Sequence, residues 1–251
     1  MRMSVTQISL LVFFLVKSTT APVFAQIKSA KFEIGAGLAG FVYQGDLTPN
    51  PVGSFATTRP GVVISAAKIF SESFLVRASL SVGGLRGDET KYDKPEYRKF
   101  RAFKFRTPLM EISPQIVWNP LRKINAGKGF SPYLFAGAGL TFMNIKRDYS
   151  GFDAAYFGDG SDIPDRLVQD EQHPLPKFRL VMPVGAGIRY HLSDRIAVNA
   201  ESSYRFPFTD YLDGFSRAAN PEQKDHYHSL MIGAIYRIGN KTNLACPVIK
   251  Y

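Results

Sequence analysis

Phe178-Arg179-Leu180-Val181-Met182-Pro183-Val184-Gly185-Ala186-Gly187-Ile188-Arg189-Tyr190-His191 alternates with a period of two. The even positions are all apolar, while the odd ones include Arg179, Gly185, Gly187, Arg189 and His191. Successive strand side chains point to opposite faces, so this is a strand with one greasy face and one small or charged face. A dozen or so residues with an aromatic at each end of the greasy face fits a bilayer crossing between aromatic girdles. The central Gly-Ala-Gly-Leu/Ile recurs at Gly35-Ala36-Gly37-Leu38 and Gly137-Ala138-Gly139-Leu140. One kind of strand is therefore used several times.

The same alternation, followed along the chain, predicts strands over 31–43, 61–70, 74–84, 105–118, 131–146, 178–191, 195–206 and 226–238. Pro108 and Pro114 trouble the fourth, because proline cannot donate to a ladder. The connections run long, short, long, moderate, long, short, long. Outer-membrane barrels have an even strand number, short turns on one side and long loops on the other. A soluble eight-stranded calyx would turn its greasy face inward instead. The expected fold is therefore an all-β, eight-stranded antiparallel up-and-down transmembrane barrel with a polar, side-chain-filled lumen. Its termini should lie in the periplasm and its long loops outside the cell.

Residues 1–25 have the layout of a secretory signal peptide, with a basic start, a short apolar run over 8–16 and Val23-Phe24-Ala25 before Gln26. The barrel then occupies 26–238 and a periplasmic tail 239–251. The formal charge of +10 falls to +8 when Arg2 and Lys17 leave with that segment. Such a balance invites a nucleic-acid partner, but an exported chain meets anionic lipid headgroups instead. Mean hydropathy is near zero, as it is for a barrel whose strands are half polar. The single cysteine, Cys246, permits no internal disulfide; in an oxidising compartment it can pair with another chain, and an idle free thiol is the alternative.

With the greasy face toward lipid, the lumen receives Glu33, Arg77, Glu111, Gln115, Arg179, Arg189, Asn199, Glu201 and Arg205. An eight-stranded barrel is just wide enough to be filled by side chains, so these should form an ion-pair network. The glycines of the three repeats fall on the same face and should make room for the long Arg and Glu chains. Gly35-Ala-Gly-Leu-Ala-Gly40 matches a dinucleotide fingerprint but continues as strand, without the helix that would receive a pyrophosphate. His226 and His228 form a rim pair without further ligands in view, and no nucleophile elbow is visible. No metal, cofactor, small-molecule substrate or catalytic residue is expected.

The third long loop is acidic, with Asp153, Asp159, Asp162, Asp165, Asp170 and Glu171. The second is basic, with Lys91, Lys94, Arg98, Lys99, Arg101, Lys104 and Arg106. Calcium on one and lipopolysaccharide phosphate on the other are open readings, but mutual attraction across the barrel mouth is expected.

Tyr43-Gln-Gly-Asp-Leu47, Arg59-Pro60-Gly61, Phe105-Arg-Thr-Pro108, Ser131-Pro-Tyr-Leu-Phe-Ala-Gly137, Pro183-Val-Gly-Ala-Gly-Ile-Arg-Tyr190 and Thr209-Asp-Tyr-Leu-Asp213 span nearly the whole exported chain. In order and spacing they resemble the PorG-like outer-membrane barrels of Bacteroidetes, linked to the type IX secretion and gliding machinery. The resemblance implies a small barrel whose periplasmic side tethers a ring of a lipoprotein and its partner to the outer membrane. The turn bearing Arg122, Lys123 and Lys128, together with Cys246, is the first candidate for that contact. Basic residues there could instead meet headgroups. A pore or transporter with an unfilled lumen, and an adhesin or enzyme working through its loops, are the alternatives.

Overall fold

The structure, a computed structural model, describes residues 31–50, 52–125, 128–158, 160–220 and 224–239. The expected signal peptide, and the tail with Cys246 apart from Gly239, lie outside the described residues. The strands are β1 (Phe32–Gln44), β2 (Arg59–Ile69), β3 (Phe74–Asp88), β4 (Lys104–Trp118), β5 (Gly129–Gly137), β6 (Gly139–Met143), β7 (Lys146–Asp148), β8 (Phe178–His191), β9 (Ile196–Phe206) and β10 (His226–Ile238). All pairings are antiparallel: β1 to β4 and β8 to β10 pair in sequence order, and β5, β6 and β7 lie in turn along β4, with β5 and β6 against β8 on the other side. β10 pairs with β1 from Phe32↔Ile238 to Gln44↔His226. That pairing closes the ring, so β5–β7 are one interrupted stave and the wall has eight.

The interruption differs from the single strand expected over 131–146, and its cause lies on the neighbours. Register on β4 is the same on both sides of each gap: Gln115↔Gly137, Ile112↔Leu140, Arg106↔Lys146. Counting along it sets Ala138 opposite Pro114 and Asn144 opposite Pro108. On the other side, Ala136↔Val184 and Gly139↔Val181 set Gly137 opposite Pro183. Proline offers no N–H, so the ladder lapses where prolines face it. β4 itself runs unbroken.

Outward positions are apolar and exposed. Leu38 is 73% exposed, Ile232, its partner across β1 and β10, is 74%, and Leu180 is 68%. A face of this kind belongs in hydrocarbon, where backbone groups must be satisfied internally and only a closed sheet or a helix suffices. No helix among the described residues is long and apolar enough to cross a membrane. Exposed aromatics mark both edges of the band: Phe32, Phe74, Trp118 and Phe130 toward the short turns, Phe55, Phe142, Phe178 and Phe208 toward the long loops.

Inward positions form layers. Along β3 they run Leu75, then Arg77, Ser79 and Ser81, then Leu85; along β4, Val117, then Gln115, Ser113 and Glu111, then Leu109 and Phe105. Leu75, Val117, Ile124, Tyr133 and Phe135 make an apolar plug at the short-turn end. Phe41, Tyr43, Leu47, Leu85, Phe103, Leu212 and Phe215 belong to a larger one at the long-loop end. Of the six repeat glycines, Gly185 and Gly187 serve rings, while Gly35, Gly37, Gly137 and Gly139 lie closest to backbone or to short polar and apolar side-chain atoms, which corrects the expectation that they admit Arg and Glu chains. A Cβ at Gly187 would lie 2.4 Å from Tyr133 and one at Gly185 2.5 Å from Phe135, the residues directly opposite them. Aromatic rings thus lie over glycine backbone and fill the cross-section.

Replacing Ile232 with arginine, at mid-height on the outer face, should cost about 2–4 kcal/mol in a bilayer. Urea unfolding of the reconstituted protein measures it; no loss would mean that this face does not meet lipid.

Candidate functional site

Three ion pairs cross the lumen. Arg77 on β3 forks onto Glu201 on β9, with Nη2 donating to Oε2 at 3.1 Å, and its Nε donates to Gln115 Oε1 at 2.9 Å. Tyr133 Oη and Asn199 Nδ2 both donate to Glu201 Oε1, at 2.6 and 3.0 Å, so the carboxylate is saturated. Arg205 Nε donates to Glu111 Oε2 at 2.7 Å, where Tyr227 Oη adds a bond of 2.9 Å. At the short-turn end Arg189 Nη1 donates to Glu33 Oε1 at 2.8 Å. The Arg77 guanidinium also sits 4.7 Å from the Phe135 ring centroid, and that of Arg205 5.5 Å from Phe41. Uncompensated charge would be costly here, and every carboxylate has its cation.

Of the expected lumenal set, Glu33, Arg77, Glu111, Gln115, Arg189, Asn199, Glu201 and Arg205 are buried and joined in this way. Arg179 is not. β8 outruns β9, whose pairing begins only at Met182↔Phe206, so Arg179 projects past the wall and is exposed. Arg237 was missed, although the alternation of β10 puts it on the lumenal face with Tyr227 and Ser229. It lies 3.7 Å from Glu33 and donates to the Ile124 carbonyl at 2.8 Å. Among the described residues, two voids of about 20 Å³ lie beside Arg77, each with room for about one water and too small for a hydrated ion.

Residues 119–125 of the second short turn fold back into the barrel. Ile124 is 2% exposed, and Asn119 Oδ1 accepts the N–H groups of Leu121 and Lys123 at 3.0 and 3.2 Å. Glu72, from the adjacent turn, accepts Asn125 N–H and Nδ2, both at 3.1 Å. On this braced frame Arg122 and Lys123 are exposed, as is Lys128 next to β5, and none of the three carries an ion pair among the described residues. His226 and His228 sit at the other rim, outward, against Tyr204, Phe206 and Phe55.

The long loops form a folded cap whose charges pair differently from expectation. Arg98 and Arg101 of the basic loop converge on Glu89 in the same loop, at 0% exposure, and Lys99 pairs with Asp93. Asp170 of the acidic loop accepts backbone N–H groups of Ser216, Arg217 and Ala218 at 3.2, 3.1 and 2.9 Å. The basic and acidic loops do meet, but by ring stacking: Phe100 on Tyr156, centroids 3.8 Å apart. Beneath them Tyr43 Oη lies 2.7 Å from Asp213 and 2.5 Å from Asp225. A phenol has one hydrogen, so one of the two contacts must be made by a carboxyl proton. Burial pushes both aspartates well above the usual carboxylate range. It also raises Asp46 to about 7, with Asp210 adding to the effect, and Asp210 to about 6.

Residues 10–237 match the outer membrane protein beta-barrel domain. The chain belongs to that family. It is thus an outer-membrane β-barrel, in keeping with its outward apolar band and closed ring. Searched against curated proteins, the sequence has no match. Among solved structures it is similar to Neisserial surface protein A, at 15% identity over 82% of this chain and 97% of that one, TM-score 0.47. It is also similar to the outer membrane protein OprG of Pseudomonas aeruginosa, at 12% identity over 85% and 98%, TM-score 0.44. A third is Ail, the attachment invasion locus protein of Yersinia pestis, in complex with the heparin analogue sucrose octasulfate. There the identity is 13% over 84% and 99%, TM-score 0.42.

Arg77→Met alone should destabilise this family member by about 3–5 kcal/mol, because Glu201 is left buried and unpaired. Adding Glu201→Leu should recover most of the loss in a urea titration; strictly additive losses would deny the pairing. The cap has a second signature. Carboxyls whose folded pKa is raised bind more protons folded than unfolded, so stability falls as pH rises from about 4 to about 7. Limited proteolysis of the long loops should be slower at pH 5 than at pH 8, and the reverse order would contradict the protonated cluster.

Proposed function

We propose that this outer-membrane barrel is a closed, non-catalytic anchor that holds a periplasmic protein assembly through its short-turn face. The observation that carries the reading is the braced segment 119–125 with Arg122 and Lys123 exposed and unpaired among the described residues, and Lys128 exposed and unpaired beside β5. A segment locked by Glu72, Asn119 and Arg237 presents Arg122 and Lys123 without the ordering cost that a loose loop would incur on binding. The ion-paired, plugged lumen favours anchoring over conduction. Short turns facing the periplasm and long loops facing outward follow the habit of bacterial outer-membrane barrels. The resemblance to PorG-like barrels supplies the partner class, a lipoprotein ring of the type IX secretion machinery. Cys246 would lie on the same side and could add a covalent link there.

A photo-crosslinker placed at Arg122 or Lys128 in living cells should capture a periplasmic lipoprotein, while one at Tyr156 should not. Glu substitution of Arg122, Lys123 and Lys128 together should abolish co-purification while the barrel keeps its heat-modifiable gel mobility. Retained co-purification, or steady single-channel conductance from the purified protein, would remove the anchoring reading. Whole-cell labelling of an introduced cysteine at Val168, but not at Lys123, by a membrane-impermeant maleimide checks the orientation separately.

A further inference from the structure

Above the apolar band, on the outer wall of β3, β4 and β7, three cations stand in a row. Register places Arg86 directly opposite Arg106, and Arg106 directly opposite Lys146. Like charges directly across a ladder repel. The next row up, Asp88, Lys104 and Asp148, alternates in sign with one acid in excess, whereas this one holds cations alone. Arg86 has one partner, Asp88 at 3.1 Å; Arg106 and Lys146 are exposed and have none among the described residues.

Beside the row the wall opens. The β2–β3 ladder ends at Val62↔Val82, while β3 continues with β4 to Asp88↔Lys104. The gap is a groove of about 280 Å³ lined by Arg59, Pro60, Gly83, Gly84, Arg106 and Pro108, with Leu85 beneath. Arg59, too, has no ion-pair partner among the described residues. Gly84 leaves the floor without a side chain. Below lie exposed Val62, Val82, Met110 and Phe142.

Height decides what meets this groove. From Trp118 to Pro108 the outward face of β4 is apolar over about 33 Å of strand, or about 25 Å along the membrane normal at the usual tilt. Arg106 therefore emerges at headgroup level. An anion there would relieve the repulsion, and a phosphate suits the planar guanidinium forks of Arg59 and Arg106. We propose that the row and groove bind the phosphate of a phosphorylated glycolipid headgroup in the outer leaflet, with its acyl chains on the apolar wall below. The inference rests on the reading that the long-loop end faces outward.

The test uses the full-length protein in phosphatidylcholine nanodiscs containing diphosphorylated lipid A, with retained lipid counted by native mass spectrometry. Both leaflets then offer the same lipid, so the result does not depend on orientation, which the whole-cell labelling addresses. The wild-type protein should retain lipid A, and Arg106→Gln with Lys146→Gln should weaken retention by about ten-fold or more. Dephosphorylated lipid A should bind the wild type as poorly as the variant binds the intact lipid. Arg166→Gln with Arg217→Gln, which removes the same charge from the cap, should retain lipid normally. Equal retention by the Arg106/Lys146 variant, equal loss in the Arg166/Arg217 variant, or displacement by millimolar inorganic phosphate would each overturn the proposal.

Discussion

Arg77 and Glu201 meet across a lumen only two side chains wide, and the rest of the barrel is arranged so that this can happen in a nearly filled interior. Closing eight staves into a ring satisfies every strand's edge but sends half of all strand side chains inward. Charges placed there must neutralise one another. The tyrosines, asparagine and glutamine around Glu201, Glu111 and Arg77 complete the hydrogen bonding that the pairs leave open. Apolar plugs then seal both ends, Ile124 below and Phe103 with Phe215 above.

The two ends are built on different principles. At the short-turn end residues 119–125 are tucked in and clamped, so Arg122 and Lys123 are displayed on hydrogen-bonded backbone. At the other, four long connections share an apolar centre and a buried carboxyl cluster held by Tyr43. A cap of this kind is a folded layer, and its aspartates are stable there because they are protonated or take backbone N–H groups. The outer wall has its own gradient, from bare hydrocarbon-facing side chains to a row of cations.

Much of this was legible in the sequence because a period of two is a strong signal wherever one face must be apolar. β8 and β10 have the bounds that alternation predicts, and eight of the nine expected lumenal residues are lumenal. Arg179 escaped because alternation fixes a face but not a height, and a strand that outruns its neighbour has no lumen to point into. Arg237 was within reach of the same rule. The breaks in the fifth stave were not, since they come from prolines on other strands and need register to be seen. Loop pairing was misread for a related reason: net charge suggested long-range attraction between two loops, whereas Glu89 satisfies Arg98 and Arg101 locally and the loops meet through rings. Nor could composition show that Gly185 and Gly187 lie under aromatic rings rather than beside arginines.

Trp118, the only tryptophan in the chain, reports directly on which face meets lipid. It is exposed at the edge of the apolar band, next to Phe74 across the β3–β4 ladder. In bilayers of phosphatidylcholine brominated near the headgroup end of the acyl chain, its fluorescence should be strongly quenched, and aqueous acrylamide should have little effect. Efficient acrylamide quenching with no response to brominated lipid would place that face in water and contradict a membrane-spanning wall.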